Sequence, residues 1–249
     1  MSSRDELLRE IPSRILGLAR ASLMQANMHA GFMDPGNEHW PLMSVLNAAH
    51  AGELFIKAII ATEHPLLIFK DIPGLDDSSA TDLDLPTLLK RGRTHDFDKL
   101  PQVLWATTGI RIPEPICYER LRRYRNSVQH FCPPEDDDAS NLALEFVYGI
   151  IDPLIRDRFG LYAIEHHEDR LMGYDYLVGT LLRRGIRFSV PDEFDLREID
   201  ARREIKGTDD NYKAWFQAEL ERIGNTKLVA TLRFVDHRTG AACGRTEAQ

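Results

Sequence analysis

The chain is 249 residues long, 43% hydrophobic and 28% charged, enough to bury a core in one domain or in one domain with an extension. Its net charge of −8 excludes a protein that coats nucleic acid through general basicity, so any nucleic-acid contact has to be local. Three cysteines, odd in number and without a CxxC, exclude a disulfide framework or a zinc knuckle and suit a reducing compartment.

The charged opening, MSSRDELLRE, has no apolar signal stretch, and no uncharged apolar run reaches membrane-spanning length. The expectation is a cytoplasmic protein with no membrane contact. From about Asp5 to Phe32, Leu8, Ile11, Ile15, Leu18, Ala19 and Leu23 recur at three- and four-residue steps and predict a helix. Turn residues at Met33-Asp34-Pro35-Gly36-Asn37 end it. A second helix is predicted from Trp40 to about Glu63, with Val45, Ala48, Ala49, Gly52, Phe55, Ile56, Ile59 and Ile60 in one broad stripe. Its small residues Ala48, Ala49 and Gly52 would let a neighbouring helix come close. His50, Glu53 and Lys57 form a polar line on a different face.

Residues 70–97 read as loop, with a short helix from Pro86 to Lys90, and another helix is expected from Phe97 to Thr107. The next runs from about Pro115 to Phe131, with Leu121, Tyr124, Val128 and Phe131 as its core seam. Pro133-Pro134 stops it. Glu135-Asp136-Asp137-Asp138 then opens a helix that reaches about Arg158, kinked at Pro153. Beyond, Glu168 to Arg184 and Tyr212 to Ile223 read as helices, Ile186 to Val190 as a short strand, and Lys227 to Val235 as either. The tail from His237 lacks a core pattern and is expected to be disordered. The predicted fold is therefore all-α: an antiparallel bundle of four or five helices over residues 1–165, with a C-terminal extension, 166–249, of uncertain and possibly α/β form.

The chemistry concentrates at the end of the helix from Pro115, in Arg125-Asn126-Ser127-Val128-Gln129-His130. Arginine holds a phosphate with a planar charged fork, and histidine moves a proton near neutral pH. Asn126 and His130, four apart, share a helix face, and Arg122 extends that face back one turn. Arg120, Arg122 and Arg123 add local basic charge to an acidic protein. Elsewhere, adjacent His166 and His167 would point apart rather than share a metal, and no HExxH, GxSxG or P-loop occurs. No cofactor or metal is expected.

These residues resemble a known family. The alanine-rich helix Ala51-x-Glu53-x-x-x-Lys57, followed by a helix ending Arg125-Asn126-x-x-x-His130, is similar to the HEPN superfamily over about residues 5–160. The resemblance implies a homodimer whose two motif helices face each other across a shared cleft, and often a metal-independent endoribonuclease. Such proteins act as toxins paired with an antitoxin or as antiviral-defence effectors, and other members serve as non-catalytic binding or dimerisation modules. It further implies Arg125, Asn126 and His130 as catalytic residues, Glu53 and Lys57 as their support, and Arg120, Arg122 and Arg123 as RNA contacts. One subfamily carries a modifiable tyrosine two residues after the motif histidine; here that position is Cys132.

Each residue also has a structural alternative. His130 could simply end its helix, and Arg125 could pair with a carboxylate such as Glu53. Arg120, Arg122 and Arg123 could form a solvated face. Tyr124 fits the core seam better than a base-stacking platform. Glu53 and Lys57 could be an internal ion pair.

Overall fold

The computed structural model describes residues 3–32, 35–72, 85–130, 138–167 and 173–233. The expectations resting on Pro133-Pro134, on Phe131 and Cys132, on Glu135–Asp137, on Glu168 and on the tail beyond 233 lie outside them.

Helix α1 (Ser3–Gly31) packs along α2 (Trp40–Glu63), as their repeats of apolar residues dictate. Ala19, Leu23, Ala26 and Ala30 of α1 are buried, whereas Leu18, placed on the same stripe by its spacing, is 62% exposed. By length and composition α2 is apolar enough to cross a membrane, but 67% of its most apolar stretch lies inside the fold. Its small residues act as their spacing predicts. A Cβ on Gly52 would lie 2.6 Å from the Phe146 ring, so glycine is what lets the next layer close on α2.

The region read as loop contains a two-stranded ribbon. β1 (Phe69–Asp71) pairs antiparallel with β2 (Arg93–Thr94), Phe69 opposite Thr94, and the short helix α3 (Leu85–Arg91) precedes β2. A 3-10 turn at Phe97–Lys99 leads into α4 (Leu100–Thr108), which ends at Gly109 with φ +75, the left-handed geometry a glycine adopts without strain. Helix α5 (Pro115–Gln129) follows, then α6 (Ala139–Phe146). Asp138 caps α6 by accepting from the Asn141 amide at 2.9 Å.

The helix expected to kink at Pro153 widens just before it. Val147–Ile151 is a π-helical turn that runs directly into α7 (Asp152–Phe159), whose first turn holds Pro153. In the C-terminal part come α8 (Asp175–Arg184), α9 (Ala201–Glu204), α10 (Asp210–Arg222) and α11 (Thr226–Arg233). The ambiguous stretch after Lys227 is thus helical as far as it is described.

The strand expected at Ile186–Val190 does not form, and among the described residues the extension is helix and irregular chain rather than α/β. The chain there is held point by point instead of by a neighbouring strand. Ile186 N–H donates to Leu181 O at 3.0 Å and its carbonyl accepts from the Tyr212 hydroxyl at 2.8 Å. Ser189 N–H donates to Asp152 at 2.5 Å, and the Val190 carbonyl accepts from Arg222 at 2.6 Å. The molecule is a helical bundle whose buried residues run as one cluster from Ala19 to Val229.

Candidate functional site

Helix α5 sits on the bundle through an aromatic stack. The Tyr118 ring lies 4.6 Å from that of Phe97, with planes 20° apart, and both touch Phe146. The Tyr118 hydroxyl donates to Phe97 O at 2.6 Å. Leu121 and Tyr124 are buried and Val128 half-buried, as the seam predicts. This fixes the rotation of α5 and therefore which side chains remain outside.

The four arginines of α5 separate into two groups. Arg122 and Arg123 both donate to Glu119, at 2.7–2.8 Å, and together hold its carboxyl down at about 2. Arg120 pairs with Glu145 at 2.8 Å. Arg125 has no carboxylate partner among the described residues; its guanidinium lies 5.6 Å from the centre of the Phe97 ring, a cation–π contact.

Asn126 is half-buried and His130 exposed, and neither has a side-chain hydrogen bond among the described residues. His130 caps α5, its backbone N–H donating to Asn126 O and Ser127 O at 3.1 Å. Of the motif's side chains His130 is therefore exposed and Arg125 and Asn126 half-buried, all within the last two turns of one helix.

Glu53 and Lys57 take up their internal alternative. Lys57, expected on a polar face, is only 5% exposed. It donates to Glu53 at 2.6 Å and to the Thr94 hydroxyl at 2.9 Å, joining α2 to the ribbon. Glu53 is thus occupied by Lys57 and not by Arg125. The two clusters are still neighbours. Burial raises the Tyr118 phenol, and Glu53 and Asp98 raise it further while Arg125 and Arg122 oppose them.

A residue missed in the sequence is His95, half-buried on the chain leaving β2. Burial lowers its pKa, Lys57 lowers it further, and Asp96 opposes. No motif marks it, because only the β1–β2 pairing brings it beside Lys57.

Among the described residues no three His, Cys, Asp or Glu side chains gather closely enough to hold a metal ion. Cys117 is a free thiol pushed up to about 11, chiefly by burial, and is therefore a poor nucleophile. His166 is buried with its pKa lowered to about 4 by desolvation, and its Nε2 has no hydrogen-bond partner among the described residues.

What the site offers chemically is one guanidinium without a carboxylate partner among the described residues, one exposed imidazole and one half-buried amide within two turns of helix. Set against known proteins, the chain matches no protein-family profile, no curated protein and no solved structure.

Proposed function

We propose that the chain is a HEPN-type, metal-independent endoribonuclease that works as a homodimer, a toxin or antiviral-defence effector with an antitoxin or defence protein as its regulatory partner. One observation carries this reading. Of the four arginines on α5, Arg125 alone lacks a carboxylate partner among the described residues, and it lies in the same two turns as Asn126 and His130. A structural ion pair would have consumed it; a phosphate-binding group has to be left uncommitted.

In this reading Arg125 holds the non-bridging oxygens of the scissile phosphate and stabilises the charge of the phosphorane. One His130 takes the proton of the ribose 2′-hydroxyl, whose oxygen attacks phosphorus. The second copy's imidazolium gives its proton to the departing 5′-oxygen. Products carry a 2′,3′-cyclic phosphate and a 5′-hydroxyl, and no metal enters the reaction. Asn126, one turn before His130, is placed to fix the imidazole or to hydrogen-bond the substrate.

The test is RNA incubated with the protein in EDTA, with the new ends mapped. Cleavage leaving 2′,3′-cyclic phosphate is expected, with His130→Ala and Arg125→Ala each slower by about 10²-fold or more. Strict dependence on added metal, or wild-type rates in both variants, sinks the reading.

A second reading is a non-catalytic dimerisation or partner-binding module. The same helix favours it in one respect: Arg120, Arg122 and Arg123, the expected RNA contacts, are paired with Glu145 and Glu119 of their own chain. A dimer that leaves RNA intact, with His130→Ala indistinguishable from wild type, decides for this module. A monomer weakens both readings.

A further inference from the structure

Away from α5, the C-terminal helices close a cleft of about 460 Å³ against α7, within the size range of small-molecule sites. Three arginines from different elements line it: Arg156 of α7, Arg187 of the irregular segment 186–190, and Arg222 of α10. All three are exposed. Tyr162 and Trp215 supply aromatic wall, and both are half-buried.

Two of the arginines are tied down. Arg222 donates to Glu219 at 2.9 Å, to Asp192 at 3.3 Å and to the Val190 carbonyl at 2.6 Å. Arg156 donates to Asp157 at 2.9 Å and reaches the Ser189 hydroxyl at 3.4 Å.

Arg187 is different. It has no carboxylate within ion-pair reach among the described residues, and its guanidinium lies 5.7 Å from the centre of the Trp215 ring. Trp215 is in turn wedged between Tyr212, 5.1 Å away, and the edge-on Phe188, 5.7 Å away. The segment bearing Arg187 is irregular yet fixed on both sides, by Tyr212 at Ile186 and by Asp152 and Arg222 at Ser189 and Val190. A cation held ready on a fixed segment, with no anion of its own, beside rigid aromatic wall is a preorganised anion site.

We propose that this cleft binds a nucleoside monophosphate. Its phosphate lies on Arg187, whose planar fork matches phosphate oxygens, and its base lies against Tyr162 and Trp215. Arg222 forms the rigid rim. The lining carboxylates do not cancel this charge: Glu219 is occupied by Arg222, and Asp152 faces the backbone amides of Ala163 and Ser189. The assignment is independent of the nuclease reading, since it shares no residue with α5. It places a ligand where α7 of the bundle meets the C-terminal helices.

Calorimetry on the full chain tests it with three probes: adenosine 5′-monophosphate, adenosine and inorganic phosphate. The monophosphate is expected to bind more tightly than either half alone. Arg187→Ala is expected to weaken it about tenfold or more while keeping the wild-type melting curve, with Arg187→Lys intermediate because the charge survives and the fork does not. Tyr162→Ala should weaken the monophosphate and leave inorganic phosphate unchanged. No heat with the monophosphate, equal affinity for inorganic phosphate, or an unaltered Arg187→Ala overturns the proposal.

Discussion

Glu119 on α5 and Asp152 at the start of α7 are both carboxylates with two nitrogen-donor partners, yet they behave in opposite ways. Glu119 takes the guanidinium groups of Arg122 and Arg123 at the surface, and they draw its carboxyl down to about 2. Asp152 is 1% exposed and takes the backbone N–H groups of Ala163, at 2.8 Å, and Ser189, at 2.5 Å. Burial outweighs those bonds and raises its carboxyl to about 6.

The first arrangement organises charge where water already solvates it. The second fastens two loops to a helix where water cannot replace the bonds. Charged residues on α5 can therefore change with little effect on the fold, which is where chemistry can be placed. Those under the C-terminal helices cannot. Asp175 repeats the buried pattern, accepting from the Arg197 and Glu198 amides at 2.6 Å each.

The largest test of this contrast is Asp152→Ala. It leaves two buried amides unsatisfied and frees both the 163 turn and the 186–190 segment, so a loss of about 3 kcal/mol or more is expected in urea denaturation. A loss no greater than that of a surface substitution would show that these bonds do not hold the extension in place.

Next comes pH. Asp152 has a folded pKa above its unfolded value, so between about 4 and 6 the folded state binds more protons. Its contribution to stability therefore falls as pH rises through that window, by up to about 3 kcal/mol. His166 has the opposite sign. Desolvation lowers it to about 4, below its unfolded value, so the unfolded chain binds the extra proton and stability rises with pH from about 4 to 6.5. The two slopes oppose each other in the native chain. Asp152→Asn should expose the rise and His166→Gln the fall, read as denaturation midpoints at several pH values. The slope carries the result, because the carboxamide introduced by Asp152→Asn would turn an NH2 toward one of the two backbone N–H groups and lower stability at every pH. Parallel profiles for both variants and wild type would contradict the buried placement of these groups.

The contrast also explains how much of the molecule could be read from its residues. The periodic spacing of α2, and the small residues that admit Phe146 onto Gly52, speak locally and were legible. So was the seam of α5, with Leu121 and Tyr124 buried and Val128 half-buried. The ribbon was hidden because its strands are two or three residues long and lie apart in the chain. The Ile186–Val190 run looks like a strand because its apolar residues are buried, but apart from the bond of Ile186 to Leu181 its hydrogen bonds go to Asp152, Tyr212 and Arg222, none of them predictable from neighbours in sequence. His95 beside Lys57 and the Arg187 cleft were missed for the same reason: each arises only through contacts between distant elements.

On α5 itself the expected effects shrink. Arg125→Ala removes the contact with Phe97 and should cost about 0.5–1 kcal/mol, small enough that any loss of RNA cleavage in this variant reports on function rather than folding. A cost several times larger would make Arg125 a structural residue and weaken its assignment to phosphate.

The smallest effect belongs to Glu119→Gln. Its ion pairs lie in water, so the melting temperature should match wild type within experimental scatter. Its consequence for binding should be larger than for stability. Removing the carboxylate releases Arg122 and Arg123 from their shared partner, adding positive charge next to Arg125. If RNA approaches along this face, Glu119→Gln should bind it more tightly at low salt, and the gain should fade as salt rises. If RNA affinity is the same in wild type and variant at every salt concentration, Arg122 and Arg123 are a solvated face and the basic character of α5 ends at Arg125.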